Sequence, residues 1–352
     1  MPGIAWSASS HGSFGGTEQM ARRLEQSLPA GLLEEFQIHL SRPEPVIPGK
    51  IQVLWCHVPF HDDVATYLAD GAWRDFDRIV FCSNWQAQGF IARYGIPWSR
   101  CAVLSNGIEP VPVAEDHFEP IPAGDPVRLI FTSVPSRGLP VLYQVFRQIA
   151  AERDDVELDV YSSFRLYGWA DQSWEQLLDD LRQVPRVTCH DVVPNEELRT
   201  ALTRAHVFAY PSLQQETSCL ALIEAMSAGL ACVHPNFGGL YETAGGMTLM
   251  YQWQEDLEAH ARIFYQYLTR VIDSLRVGDA GLRARLAALK FYADTRYDWS
   301  IRAAEWEALL RSLLSARPST KRQLAPRRRP ALRSRAAKAF GVPGEGHGGT
   351  EP

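Results

Sequence analysis

HVFAYPSLQQETSCLALIEAMSAGLACVHPN, residues 206–236, decides how this chain folds. HVFAYPS is a short run rich in apolar and aromatic side chains, too brief for a helix and suited to a buried strand. LALIEAMSAG is a helix with apolar residues around most of its circumference, stopped by Gly229 at a position where a glycine takes up the left-handed turn. LACVHPN is a second apolar strand. A strand, a crossover helix and another strand make a parallel pair, and parallel sheets need helices on both faces.

The same alternation runs outward in both directions. On the N-terminal side of this unit lie RLIFTSV as a strand, VLYQVFRQIAAER as a helix, VELDVYSS as a strand, WEQLLDDLRQV as a helix, RVTCHDVV as a strand and NEELRTALTRA as a helix. Nearer the N-terminus, Ile4 to Ser9 reads as a short buried strand, followed by HGSFGGTE and a helix through MARRLEQSL with Thr17 at its N-cap. Ile51 to Val58 and Asp77 to Ser83 are strands, NWQAQGFIARYG is helical, and Cys101 to Ile108 is a strand ending at the turn pair Asn106-Gly107. ARIFYQYLTRVIDSLR and WSIRAAEWEALLRSLL are long amphipathic helices. The expected class is therefore α/β, and 352 residues exceed what one core usually holds, so two domains are expected. The proline- and acid-rich stretch from Glu109 to Pro126 separates them. We place a first domain at 1–118, completed by a helix at about 297–316, a linker at 119–127, a second domain at 128–296, and a disordered tail at 317–352.

Composition narrows the functional classes. The net charge of -6 is unevenly spread: residues 317–352 carry nine Lys/Arg and two acids, whereas 1–316 carries 26 bases and 39 acids. An acidic body is not a nucleic-acid-binding surface; the basic tail suits peripheral contact with an anionic membrane face. No apolar run reaches the ~20 residues of a membrane span, and the N-terminus lacks the pattern of a signal peptide. Six scattered cysteines without a CxxC pair fit a reducing cytoplasm, with or without docking at the inner membrane face, and argue against a zinc site.

In a doubly wound domain ligands gather at the carboxyl ends of the strands, and four segments there carry chemistry. Ser13-Phe14-Gly15-Gly16-Thr17-Glu18 puts paired glycines before a helix, where backbone amides can approach an anion. His57 ends VLWCH and can meet a phosphate oxygen or a sugar hydroxyl; His61, Asp62 and Asp63 follow, without a clear third metal ligand. Ser133-Val134-Pro135-Ser136-Arg137-Gly138-Leu139 sets a cation beside a glycine at a helix opening, suited to phosphate. In the 206–236 segment, Glu216 and Glu224 are separated by seven residues, with Thr217, Ser218, Cys219 and Leu220 at the loop-to-helix junction. Glu224 lies about two turns into an apolar helix, where a carboxylate needs a partner such as the hydroxyls of a ribose.

These segments, in this order, resemble family 4 (group 1) of the retaining GT-B glycosyltransferases, over nearly all of 1–316 and most strongly from Leu129 to Thr243. The two-glutamate segment with AxxAGLACV and FGGLYET resembles the family signature. DRIVFCSNWQ, YGIP and VLSNGIEP resemble the last part of its N-terminal domain, and YDWSIRAAEWEALL its terminal helix, which crosses back onto that domain. The resemblance implies two Rossmann-like domains facing each other across a cleft. It implies transfer of a sugar from a nucleotide-diphosphate donor, a UDP or GDP sugar for example, to a glycan, lipid-linked or other acceptor in polysaccharide biosynthesis, with retention of configuration and no tightly bound metal or other cofactor. It implies catalytic roles for His57, Arg137 and Glu216, ribose binding by Glu224, and donor binding by Gly15, Gly16, Arg137, Glu216, Thr217, Ser218, Cys219 and Leu220. The family usually has a Gly-Arg pair before its Lys-Gly pair; here the corresponding residues are Thr132-Ser133 and then Arg137-Gly138, so one cation is missing, with Arg165 a candidate to supply it. That departure keeps open an alternative, a non-catalytic nucleotide-sugar-binding or scaffold protein on a degenerate GT-B fold.

Overall fold

The computed structural model describes residues 4–5, 15–167 and 171–316. The remainder of the strand expected up to Ser9, the Ser13-Phe14 part of the glycine loop and the expected disordered tail at 317–352 lie outside the described residues.

Two parallel sheets carry the chain. The first takes β1 (Ile4–Ala5), β2 (Phe36–Leu40), β3 (Ile51–Cys56), β4 (Arg78–Phe81) and β5 (Cys101–Val103) in that spatial order. Strand alternation divides its side chains between two faces. Val53 and Trp55 point to one face, where α1 (Gly16–Ser27) packs with Met20 and Leu24; a short helix, α2 (Ala30–Leu33), adds Leu32 and Leu33. Leu54 and Cys56 point to the other, against Phe90 of α3 (Asn84–Tyr94) and against Leu68 and Trp73 of the irregular 3-10 segment Asp63–Asp75.

The second sheet contains β6 (Val127–Thr132), β7 (Val156–Tyr161), β8 (Val187–His190), β9 (Val207–Ala209), β10 (Ala231–Pro235) and β11 (Leu249–Tyr251), in the order β11-β10-β9-β6-β7-β8. Renumbered from its own first strand, this is the doubly wound order, with the switch point between β6 and β9. Its helices are α4 (Leu139–Glu152), α5 (Glu175–Gln183), α6 (Asn195–Leu202), α7 (Leu220–Ser227), α8 (Leu240–Ala244), α9 (Leu257–Arg276) and α10 (Ala280–Arg296). One continuous core joins these elements. The last helix, α11 (Trp299–Ser315), lays Trp306 and Leu310 on the first sheet beside α1. It enters through a main-chain clasp in which Ile108 N–H donates to the Tyr297 carbonyl and Trp299 N–H to the Ile108 carbonyl, both at 2.8 Å.

The first helix starts earlier than its sequence suggests. Gly15 is the N-cap, without a side-chain cap bond, and Thr17 lies inside the first turn. The start of the helix is closely approached: a Cβ on Gly16 would lie 2.7 Å from Leu220 Cδ1, so a larger residue there would require the Leu220 side chain to shift. No helix among the described residues is long and apolar enough to cross a membrane.

Candidate functional site

The switch point brings the loop after β6 and the loop after β9 side by side. Gly138, at φ +116°, makes this possible: a Cβ there would sit 2.2 Å from the Pro211 carbonyl oxygen. Gly138→Ala is expected to lower unfolding free energy by about 2 kcal/mol or more, since left-handed backbone and a clash with main chain add together. Denaturant unfolding checks this.

Across that contact Arg137 and Glu216 meet. Arg137 Nη1 donates to both oxygens of Glu216, at 3.0 and 2.9 Å, and the Tyr210 hydroxyl donates to Oε1 at 2.7 Å. Glu216 is 5% exposed. Burial, with Glu216 adjacent, pushes the Tyr210 hydroxyl far above its ordinary range, so it remains a donor. The Glu216 main chain is gripped from behind by a parallel bridge to Gly238, and Gly239 N–H donates to its carbonyl at 2.6 Å. A Cβ on Gly238 would lie 2.8 Å from Glu216 N, which accounts for the paired glycines after Phe237.

Thr217 and Ser218 lead into α7. Its N-cap is Cys219, which offers no side-chain cap bond. Since Leu220 abuts Gly16, the N-termini of α1 and α7 converge from the two sheets. The positive end of each helix dipole favours an anion near it. The two halves are stitched at this point: Thr217 Oγ1 donates to the His57 carbonyl at 3.2 Å, and Asn106 Nδ2 to the Ser218 carbonyl at 3.0 Å. A third stitch has the Glu242 carboxylate, on α8, accepting from Asn84 N, Asn84 Nδ2 and Trp85 N at the start of α3, at 2.9, 2.9 and 3.0 Å.

Glu224 is buried on α7, not exposed on a helix edge, and its carboxylate accepts no hydrogen bond among the described residues. Burial raises its pKa, an effect offset in part by the Arg23 and Arg199 cations. Both arginines are tied to main-chain carbonyls of the same crossing segment, Arg23 to Gly107 and Arg199 to Glu109 and Pro110. They lend Glu224 a field rather than a bond.

His57 follows the last residue of β3, and its ring packs on Trp55 with centroids 4.6 Å apart. Burial depresses its pKa to about 3, so the ring is neutral. His61 is exposed and stacks edge-on with Phe60; the two histidines do not form a pair. No group of three or more His, Cys, Asp or Glu is placed to hold a metal among the described residues. Arg165 is not joined to the Arg137–Glu216 pair; it bonds Asp191 at 2.8 Å and faces Asp171 at 3.7 Å, beyond β7 and β8.

Glu216, Arg137, Thr217, Ser218, Cys219, Leu220 and Gly16 thus come together, Gly15 and His57 adjoin them, and Glu224 lies further along α7. Sequence reasoning missed Tyr210, although it opens the two-glutamate segment, and Glu242, which lies in the FGGLYET stretch. A polar ring at the end of an apolar strand, six residues before a loop carboxylate, is the available signal for Tyr210.

Residues 126–269 match the family described as Glycosyl transferases group 1. That span holds both glutamates and Arg137. The GPI3 subunit of phosphatidylinositol N-acetylglucosaminyltransferase from Saccharomyces cerevisiae is 24% identical over 190 residues, 51% of this chain and 40% of that protein. The phosphatidylinositol N-acetylglucosaminyltransferase chain from Arabidopsis thaliana is 24% identical over 177 residues, 48% of this chain and 36% of that protein. The chain therefore spans about two fifths of the length of these curated relatives. Among solved structures, a glycosyltransferase from Rickettsia africae superposes with a TM-score of 0.61 at 13% identity, covering 89% of this chain and 84% of that one. Anabaena Alr3699/HepE in complex with UDP and glucose gives 0.59 at 16% identity, covering 75% and 72%. The fold is GT-B.

Proposed function

We propose that this protein is a retaining glycosyltransferase of the family 4 kind, taking its sugar from a nucleotide-diphosphate donor without a tightly bound metal. The observation that carries this reading is the Arg137–Glu216–Tyr210 cluster at the switch point, beside two converging helix N-termini. In the reaction the bond between the sugar C1 and the diphosphate oxygen breaks, the acceptor oxygen bonds to C1, and the acceptor's proton passes to the departing phosphate side. Negative charge grows on the leaving diphosphate. Fixed donors aimed at that charge lower the barrier most, and Arg137 with the start of α7 supplies them. Glu216 orients the donor sugar, and Glu224 accepts from the ribose hydroxyls.

The acceptor is a glycan or lipid-linked molecule, a reading supported by the phosphatidylinositol acceptor in the names of the curated relatives. UDP is the favoured nucleotide, in line with the UDP in the Anabaena complex. Peripheral docking at the inner face of the membrane through the basic tail accords with such an acceptor.

Melting the purified protein with UDP, GDP, ADP and TDP, with and without magnesium, tests the donor site. A ligand present at a hundredfold its Kd and bound only by the folded state adds about 2.7 kcal/mol. UDP is expected to raise the Tm with or without magnesium, and UDP-sugars are then to be assayed for turnover. No shift from any nucleotide, in well-folded protein, would overturn the donor-site reading; a shift without turnover of any sugar donor would favour the scaffold alternative.

A further inference from the structure

His57 lies over a buried thiol that no sequence feature linked to it. Cys82, directly after β4, places Sγ 3.2 Å from the Cys56 carbonyl oxygen and 3.7 Å from His57 Nδ1. Its main chain is fixed too, because Cys82 N–H donates to Gln86 Oε1 at 2.7 Å and the same side chain's Nε2 donates to the Val58 carbonyl at 2.7 Å. A thiol has one proton. A carbonyl oxygen can only accept, and 3.2 Å is close for sulfur to oxygen, so the S–H lies on the Cys56 side. The sulfur then turns a lone pair toward Nδ1, which must carry the ring proton. In a neutral imidazole the other nitrogen is bare. That nitrogen, Nε2, is buried and has no hydrogen-bond partner among the described residues; the His57 carbonyl accepts from Thr217 Oγ1, of the proposed donor site, at 3.2 Å.

We propose that Cys82 is a positioning residue that holds His57 as its neutral Nδ1–H tautomer, so that Nε2 is the bare acceptor that a hydroxyl of the bound sugar meets once the side chains enclosing it part. This rests on the glycosyltransferase reading and refines it: a bare nitrogen reads a hydroxyl donor and repels a phosphate oxygen. The depressed pKa of His57 agrees, since no second proton joins the ring at neutral pH.

The test is a two-bond proton–nitrogen correlation spectrum of protein labelled with 15N-histidine, which separates the two neutral tautomers, with the His57 signals identified by their loss in His57→Gln. Wild type is expected in the Nδ1–H form. Cys82→Ala is expected to lose that preference and to lower kcat about tenfold with donor KM within about twofold, the scale of one hydrogen bond. Cys82→Ser, which keeps a donor and an acceptor in place, is expected to restore both readouts. Wild type in the Nε2–H form, or Cys82→Ala with an unchanged His57 pattern, overturns the proposal. If Cys82→Ala does not fold, the wild-type and Cys82→Ser spectra decide alone. The spectrum needs no substrate, so a protein that turns over no donor refutes the enzyme reading while the tautomer assignment is judged separately.

Discussion

Arg137→Ala is expected to reduce turnover by about two to three orders of magnitude while changing donor affinity far less, because a fixed cation counts most when charge is leaving on the diphosphate. The geometry sharpens this expectation. Arg137 Nη1 straddles both Glu216 oxygens, so its charge is already balanced and a ground-state phosphate must share it with a carboxylate. In the proposed reaction, as negative charge grows on the departing oxygen, the competition shifts toward the phosphate, and the benefit appears in the transition state. Removing Arg137 also leaves a buried carboxylate with only the Tyr210 hydroxyl among the contacts described above. Breaking a fully buried pair costs about 3–5 kcal/mol, but the arginine side chain is 33% exposed, so solvent screening brings the expected loss well below that range. Arg137→Lys keeps the charge and loses the planar guanidinium, so its turnover should fall between the two. Steady-state kcat and KM, read with denaturant midpoints, separate these effects; a variant with wild-type kcat would remove Arg137 from the chemistry.

Much of this architecture was written in the chain's periodicity. The second sheet was legible because β6, β9 and β10 are apolar runs, as burial on both faces demands, and β7 alternates apolar and polar residues with one face fully buried, with helical segments between them. β2 was missed, although FQIHL alternates apolar and polar residues as a half-buried strand does; what the alternation does not tell is that Gln37 and His39 are buried as well. The structure shows what offsets their burial: Gln37 exchanges bonds with Pro45 and Ile47, and His39 bonds Gln52 and the Glu44 amide. The loop between β2 and β3 thereby meets the polar side chains of β2 through hydrogen bonds. α10 was hidden because it buries little beyond Leu286, Leu289 and Ala293 and its apolar stripe is weak.

The site divides in the same way. Glu216 and Glu224 stood out because seven residues separate two carboxylates around a loop-to-helix junction. Their difference in state did not. Glu216 finds a cation and a phenol in the loops after β6 and β9, whereas Glu224 finds two arginines that are committed to carbonyls elsewhere. Such partners are fixed by the switch-point topology, by Gly138 and by the crossing segment at 107–110, none of which leaves a local pattern around the glutamates themselves. Cys82 was equally silent, because a buried thiol in an apolar run is ordinary core until a histidine is placed over it.

That difference between the two glutamates makes Glu224 the position where stability and binding should separate. Its carboxylate is buried with no hydrogen bond among the described residues, and burial raises its pKa. A raised carboxylate pKa means that the folded state disfavours the ionised form, so above the unfolded-state pKa this residue subtracts from stability, most fully once pH exceeds the folded value. Glu224→Gln removes that cost while nearly preserving shape, and it should leave Tm unchanged or raise it at neutral pH. On the proposed reading, the same substitution deprives the donor's ribose hydroxyls of a charged acceptor, worth about 1.5–3 kcal/mol. Donor Kd should therefore rise by about one to two orders of magnitude. Glu216→Gln makes the useful contrast: it breaks a satisfied ion pair, so stability and turnover should fall together. Titration calorimetry with the nucleotide and thermal melts on both variants check the pair of expectations. A Glu224→Gln protein that melts lower and binds the nucleotide normally would make Glu224 a structural residue and move the ribose contact elsewhere in the cleft.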